Sequence, residues 1–468
     1  MKLIYQVHEK PSIPKTVVFA IQQLLAIMTA TLVVPILINN EMGLAGDMAM
    51  SPAAALFGAG IGTFVYLLFT KFKSPVFLGS SFAFIGSMCA AFAGATSVAL
   101  GYLGLILGAF FAGLVYVAIA IAVKFAGVNW LNRLMPAVVI GPTVTIIGLS
   151  LSGNAVGDLV KGNVTNLLGN PVASPLLCVV CGLVTLVTVV VCSAYGKKTF
   201  KLIPFIVGIL AGYAVANIFT AIGHIANVDA MKIVSYEAFK ALVADGVKFS
   251  TFLSLPDFTF LTAFGAFGKL SWSYVATVVV AYAPVAFVVF AEHVADHKNI
   301  SSIIEKDLLT DPGLSRTLLG DGVGSMAGAF FGGCPNTTYG ESVACVAISR
   351  NASVITTLFA ACGAVLVSFL SPFVAFINTI PSCVMGGVCV ALYGFIAVSG
   401  LKMIREVDLG ENKNLFVVST ILVTGVGGLT LSFGKVTITA TACALILGIV
   451  MNLILQKAKT SAEENEEE

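Results

Sequence analysis

The sequence predicts an all-α polytopic membrane protein of fourteen transmembrane segments, arranged as two inverted sets of seven. Three observations carry that expectation. Only 10% of the 468 residues are charged and 58% are hydrophobic, against about 25% and 45–50% in soluble domains. So little charge leaves most of the outer surface to lipid. Apolar runs near the ~20 residues needed to cross a hydrocarbon core recur fourteen times. The Lys and Arg residues between the runs alternate between the two sides.

The runs fall at 16–38, 51–70, 75–94, 101–123, 135–152, 171–195, 203–222, 271–297, 316–333, 334–349, 352–377, 381–401, 414–433 and 435–455. Two of them are irregular. PVFLGSSFAF in the third and GGCPNTTYGE in the tenth put Gly, Ser, Thr, Asn and Pro where a span should be smoothly apolar. Fourteen spans place both termini on one side. Nineteen of the 25 basic residues lie on that side and six on the other. Basic loops stay cytoplasmic, so both termini are expected in the cytoplasm of a multi-pass cell (inner) membrane protein. Four of the remaining six, Lys232, Lys240, Lys248 and Lys269, share one long segment.

That segment divides the chain. Residues 1–222 form the first seven-span repeat, 223–270 an extracellular connecting segment, 271–455 the second repeat and 456–468 an acidic cytoplasmic tail. A duplicated unit with an odd number of spans must sit inverted against its copy. Inverted repeats and interrupted segments at matching positions point to a central binding site in secondary transporters. Here the interrupted segments are the third of each half. Their unpaired backbone groups need protein, water or substrate, because lipid cannot satisfy them.

Several function classes lack support. A net charge of +2 offers no electrostatic footprint for nucleic acid. The ten cysteines lie in or beside apolar stretches. Cys178 and Cys181 form a CxxC inside LLCVVCGL, but zinc needs four ligands and neither a second pair nor a His is near. They read as small membrane hydrophobes. The first run, from Thr16 to Ile38, has no cleavable signal pattern and is expected to remain as an anchor. GAGIG at Gly58–Gly62 lacks the preceding strand of a nucleotide fingerprint. Small residues for close helix packing explain it better, and Pro35 and Pro284 read as tolerated kinks. No nucleophile elbow, P-loop or ATPase motif is found, so neither an enzyme nor an ATP-driven pump is expected.

Charge inside a membrane is costly and therefore usually functional. Four acids resist assignment to loops: Glu292, Asp296, Asp321 and Glu341. No Lys or Arg lies in the central part of any span to pair with them. Burial without a cation favours the protonated carboxyl group, which is the chemistry of a proton-coupled carrier. Glu292 and Asp296, in FAEHVADHK, are four apart and share one helix face. The competing reading is a polar helix end, since Lys298 follows closely. Glu341 follows the break NTTYG, where a carboxylate can also serve only the helix dipole. His293 and His297 give E-H-x-x-x-H, which resembles metal-ligand spacing, but no other His lies in a span to complete a set. No metal is expected. Asp321, in LLGDGVGS, stays open.

These residues carry a resemblance. FAEHVADH around Glu292, CPNTTYGES around Glu341 and FLGSSFAF at Phe77–Phe84 resemble the signature segments of the nucleobase–ascorbate transporter (nucleobase:cation symporter-2) family. KDLLTDPGLSRTLLGDG (Lys306–Gly322) and VMGGVCVALYGFIAVSG (Val384–Gly400) extend it through nearly the whole chain. The nearest branch is the bacterial uracil-carrying one. Xanthine and urate members usually carry other residues in place of NTTYGES, which favours a pyrimidine.

The resemblance implies a core domain of segments 1–4 and 8–11, a gate domain of segments 5–7 and 12–14, and a short strand in each of segments 3 and 10. It implies proton-coupled uracil symport by alternating access, with the proton as the only coupling ion, no cofactor and a possible homodimer. Glu292 and Glu341 would accept from the uracil ring N–H groups. The backbone N–H groups of Phe82 and Gly340 would meet the ring carbonyls, and Ala30, Tyr339 and Tyr393 would line the pocket. The chain departs from the family at Gln22-Gln23, where a Gln-His pair is common, and at Asp296, where some uracil carriers have His. Asp296 is therefore the expected proton partner of Glu292. The alternatives are a purine (xanthine-type) symporter of the same fold and, more distantly, an anion carrier or channel, against which the paired carboxylates argue.

Overall fold

A computed structural model describes residues 3–127, 129–166, 170–197, 200–201, 203–244, 246–433 and 436–455. The acidic tail at 456–468 lies outside the described residues, as do Lys2, Lys198, Lys435, Lys457 and Lys459 from the charge count.

Among the described residues fourteen segments appear in the expected order, and the architecture is the inverted seven-plus-seven repeat of membrane transporters. Segment 1 is Ile13–Met42, segment 2 Pro52–Phe69, segment 4 Val98–Ala126 and segment 5 Ala137–Ser150, continued after a bend at Leu151 by Ser152–Leu159. Segments 6 and 7 are Pro175–Tyr195 and Pro204–Ile225, and segment 8 is Trp272–Ile304. Segment 9 is Leu314–Gly332, segment 12 Ser382–Ile404, segment 13 Asn412–Val426 and segment 14 Ala440–Leu455. Local chemistry sets the ends. Ser51, Ser97 and Ser271 open segments 2, 4 and 8 by accepting from the N–H of Ala54, Leu100 and Tyr274, which satisfies a donor that a helix start leaves free. Gly43 closes segment 1 at φ 64°, a left-handed cap suited to glycine.

Segments 3 and 10 are broken, as their composition requires. Strand β1 (Leu78–Ser80) precedes a 3₁₀ turn, Phe82–Phe84, and the helix Ile85–Ala93; strand β2 (Asn336–Thr338) precedes the helix Gly340–Ser349. The strands pair antiparallel with Leu78 opposite Thr338 and Ser80 opposite Asn336.

Three stretches differ from the sequence expectation. The run at 352–377 is two helices, Val354–Ser368 and Ser371–Thr379, because Pro372 fits only a helix's first turn and ends the helix before it. The runs at 414–433 and 435–455 lose their facing ends to a hairpin of β3 (Leu431–Phe433) and β4 (Val436–Ile438). Gly427 and Gly428, the latter at φ 72°, stop the helix, and the alternation VTIT has period two, a strand rather than a helix signal. The stretch 223–270 holds the short helices Glu237–Val243, Phe249–Phe252 and Thr259–Phe264.

Packing sorts the segments into two bundles. Segment 2 runs along 9 and 11, segment 4 along 8 and 9, and segment 1 along 11 and 10. Segments 5, 6 and 7 pack instead with 12, and 5 with 13 and 14. Glycine lets segments 2 and 9 approach closely. A Cβ on Gly58 would stand 2.4 Å from the Gly328 carbonyl oxygen, and one on Gly62 2.7 Å from that of Gly324. Segments 2 and 9 thus meet backbone to backbone, which accounts for GAGIG. Loop contacts respect the alternation of fourteen spans. Lys73 pairs with Asp311, Ile4 N–H donates to Arg350 O, and Asn452 donates to Arg133 O on the terminus side. Asn163 donates to Ile380 O and Ser371 to Ser250 O on the other.

Candidate functional site

The site grows from the two crossing strands. Each three-residue strand carries six backbone polar groups into an apolar interior, and the β1–β2 pairing satisfies those that face the partner strand where lipid cannot. Side chains from the surrounding helices complete the set. Thr63 accepts from Leu78 N–H at 3.0 Å, and Ser342 accepts from Phe77 N–H at 3.0 Å. Gln23 Nε2 donates to the same Ser342 hydroxyl at 3.2 Å, which ties the departure at Gln22-Gln23 into the strand's support. Tyr339 OH donates to Ser80 O at 2.6 Å, and Asn336 Nδ2 donates to Gly58 O at 3.0 Å.

Each strand ends where a helix begins, so two helix N-termini converge. Tyr339 is the N-cap of the segment 10 helix, Gly340 its first residue and Glu341 part of its first turn. Beside them lies a cavity of about 430 Å³ whose wall includes Phe82, Glu292, Asp296, Thr338, Tyr339, Gly340 and Glu341. Five of the seven residues expected at the substrate are therefore together. The other two stand behind the wall. Ala30 is buried in segment 1, and Ala26, one turn earlier, lines the cavity instead. Tyr393 is buried with its ring edge against Phe82, centroids 6.1 Å apart, while its neighbour Leu392 reaches the cavity.

Glu292 is not at a helix end, as one reading of the sequence had it. Segment 8 continues to Ile304, about three turns further on. In the polar stretch after Glu292, His293, Asp296, His297 and Ser301 find partners inside the protein. Glu292 and Asp296 face the cavity, and Thr338 Oγ1 donates to Asp296 Oδ2 at 2.8 Å, joining segment 8 to β2. His293 and His297 turn the other way, with rings stacked 4.0 Å apart. His293 Nδ1 lies 2.7 Å from Asp321 Oδ2 and its Nε2 3.0 Å from Thr317 Oγ1. His297 Nε2 lies 2.6 Å from Tyr66 OH, which donates to Ser74 at 2.7 Å. The histidines thus do not join Glu292 in a ligand set. Among the described residues no cluster of three or more His, Cys, Asp or Glu is arranged to hold a metal. Asp321, left open by the sequence, belongs to this network behind the site.

The opposite wall leaves no mark in the sequence. Phe205 of segment 7 and Leu392, Phe395, Ile396 and Ser399 of segment 12 face the carboxylates across the cavity. Ser193, Lys201 and Ile348, at segment ends on the terminus side, form its mouth. On the far side Leu32, Ile36, Ile209, Phe373, Phe376 and Met385 surround only a small apolar gap of about 60 Å³. The cavity is open toward the termini and closed away from them.

Fold and site together define a multi-pass membrane carrier: two bundles, crossed half-helices, and between the bundles a largely apolar cavity with three carboxyl groups on one wall that opens to one side. A model of the Xan_ur_permease group, described as Permease family, matches residues 14–433. The chain belongs to this family, the nucleobase:cation symporter-2 permeases, and is a transporter rather than an enzyme. It is 37% identical over 99% of its length to the uracil permease of Bacillus caldolyticus, of which 98% is covered. It is 35% identical to the uracil permease of Bacillus subtilis (99% and 97% of the two chains) and 34% identical to that of Escherichia coli K12 (96% and 93%). Among solved structures, the transmembrane domain of the cyanobacterial bicarbonate transporter BicA is similar with TM-score 0.53, 15% identity and coverage of 96% and 98%. The murine anion transporter Slc26a9, in its inward-facing state, is similar with TM-score 0.60, 11% identity and coverage of 96% and 69%. At that identity the likeness concerns fold alone.

Proposed function

We propose that the chain imports uracil across the cell membrane by proton-coupled symport, through alternating access. The observation that carries this reading is the convergence of Glu292 and Glu341 with the helix starts at Phe82 and Gly340 on one wall of a cavity of about 430 Å³. Uracil is flat and neutral, with two N–H donors and two carbonyl acceptors. Two carboxylates facing two donors, and two helix-start N–H groups facing two carbonyls, match it group for group. An analogue lacking one of these groups leaves a buried partner unpaired and is rejected. The substrate named for the full-length relatives from three bacteria supports the same choice.

Segments 1–4 and 8–11 act as the core domain that carries the site, and segments 5–7 and 12–14 as the gate against which it moves. With both termini cytoplasmic, the cavity's opening corresponds to an inward-facing state. Asp296, held by Thr338 one turn from Glu292, shares a proton with that residue. A proton added from outside removes a negative charge from an otherwise apolar wall and favours loading; its loss inside favours release. In this cycle Glu292→Gln and Glu341→Gln each abolish concentrative uptake of labelled uracil, and near-normal uptake in either variant refutes the site. A protonophore collapses accumulation while sodium removal has no effect. Excess xanthine or hypoxanthine fails to compete; effective competition transfers the assignment to a purine.

A further inference from the structure

The connecting segment between the two repeats does not have the surface of a loop in water. Val247, Phe249 and Leu255 are 71%, 77% and 75% exposed, and Leu261, Phe267 and Trp272 are also largely uncovered. Large apolar side chains exposed in sequence over some 25 residues mark an interaction surface rather than scattered surface hydrophobes. We infer that residues 237–244 and 246–272 form a collar lying in the headgroup–acyl boundary of the leaflet away from the termini, with lipid as its partner.

Depth supports lipid as the occupant. The inner face of the collar is an aromatic cluster: Phe258 lies 4.9 Å from Phe57, and Phe260 stacks on Phe330 at 4.8 Å with ring planes 8° apart. Phe57 is five residues into segment 2, which begins at Pro52, so it sits about 7 Å below that helix's end at ~1.5 Å per residue. Phe330 and Phe331 occupy the last turn of segment 9, and the helix Thr259–Phe264 packs along segment 4. The collar therefore lies beside the final turns of spanning helices, within the roughly 5–10 Å that an interfacial helix sinks. Its exposed side chains continue the apolar belt formed at the same level by Leu176 and Ile225 at the ends of segments 6 and 7. Trp272, at the start of segment 8, is the residue type enriched at that depth.

The connecting segment is attached at both of its ends. The beginning of the segment is held by the gate bundle, through Asn163 N–H to Ile233 O and Ser174 N–H to Ala230 O. Its end is held by the core bundle through the phenylalanine cluster and through Ser254 N–H to Phe369 O. The segment that carries the collar thus joins both bundles at the membrane surface.

The test uses the full chain in phosphatidylcholine vesicles. The protein has two tryptophans, Trp130 and Trp272, so Trp130→Phe leaves Trp272 as the sole emitter without touching the collar. Adding Leu255→Trp to a Trp130→Phe, Trp272→Phe background probes its middle. Phosphatidylcholine brominated high on the acyl chain is expected to remove most of the emission from both sites, with little loss to aqueous iodide. Efficient iodide quenching without bromolipid quenching would place the collar in water and overturn the inference. Protection from both quenchers, together with cross-linking between copies through Leu255→Cys, would overturn it in favour of a second copy of the chain.

Discussion

Replacing Gly340 with alanine separates the packing of the site from its binding chemistry. An ideal Cβ on Gly340 has Asp296 Oδ1 as its nearest neighbour, at 3.9 Å, which is ordinary contact. Gly340 also begins a helix, where alanine is preferred over glycine by up to about 1 kcal/mol. Thermal unfolding of Gly340→Ala is therefore expected to match or slightly exceed the parent. The methyl group nonetheless enters the cavity beside the N–H assigned to a uracil carbonyl. Alanine keeps that N–H, but a methyl group that holds the carbonyl off it forfeits one neutral hydrogen bond, about 0.5–1.5 kcal/mol, or roughly 2- to 12-fold in affinity at 1.4 kcal/mol per decade.

Gly79→Ala is the matched control, because there the space is filled. Its Cβ would lie 2.4 and 2.5 Å from Cε2 and Cζ of Tyr339 and 2.8 Å from Thr31 Oγ1. The Tyr339 ring cannot swing away without breaking its hydrogen bond to Ser80 O. Strand β1 must shift instead, at the ~1–3 kcal/mol typical of overpacking, and the melting temperature falls. Equilibrium binding of labelled uracil and thermal unfolding, measured on both variants in detergent, decide the matter. Parental uracil affinity in Gly340→Ala would refute the backbone N–H assignment. Parental melting in Gly79→Ala would refute the rigidity assigned to the strand crossing.

Three further outcomes follow from the same contacts. Asn336→Ala removes the donor to Gly58 O and opens a gap between segments 2 and 9, so it should destabilise by about 1–3 kcal/mol, read from the unfolding midpoint. Asp321→Ala strands His293, buried and bonded to Asp321 at 2.7 Å, with a similar loss of about 1–3 kcal/mol; pairing it with His293→Ala in a double-mutant cycle should recover part of that loss. At the surface, the Lys73 ammonium 2.6 Å away holds the Asp311 carboxyl below its ordinary 3.8. A depressed carboxyl contributes stability above its unfolded pKa and loses it as pH falls through the folded value. Asp311→Asn should therefore differ from the parent by a constant amount from about pH 5 to 8, and the two should converge only in acid below 3.8.

The spans were legible because a bilayer imposes one length and one polarity on every segment, and the broken segments were legible because β1 and β2 carry the Gly, Ser, Asn and Thr that a smooth helix would not. Glu292, Asp296 and Glu341 stood out against otherwise apolar segments. Apolarity alone could not distinguish strand from helix in LTLSFGKVTITA, nor show that Pro372 splits segment 11. The far wall was invisible for a different reason. Phe205, Ile396 and Ser399 reach the cavity because of how one bundle lies against the other, and nothing in their own segments records that. Ala26 rather than Ala30 faces the cavity by a single helical turn. The direction of His293 and His297 likewise depended on Asp321 and Tyr66, 24 or more residues away in sequence and recognisable as partners only once segments 2, 8 and 9 are packed.

The same scaffold serves structural neighbours whose names record bicarbonate and anion transport at 15% and 11% identity, so the fold cannot specify what is carried. What distinguishes one cargo from another is the side chains set around the crossed helix starts. Two helix N-termini alone favour an anion. Here Glu292, Asp296 and Glu341 face the same space, and Lys201, the lone cation on the cavity's wall among the described residues, stands at the mouth beside Ser193. Three carboxyl groups offset the positive helix ends and leave a site with both acceptors and donors but no net attraction for a negative charge. That balance suits a neutral molecule bearing donors and acceptors on one edge. In the proposed cycle the coupling ion is a proton, which changes the site's charge without occupying its volume.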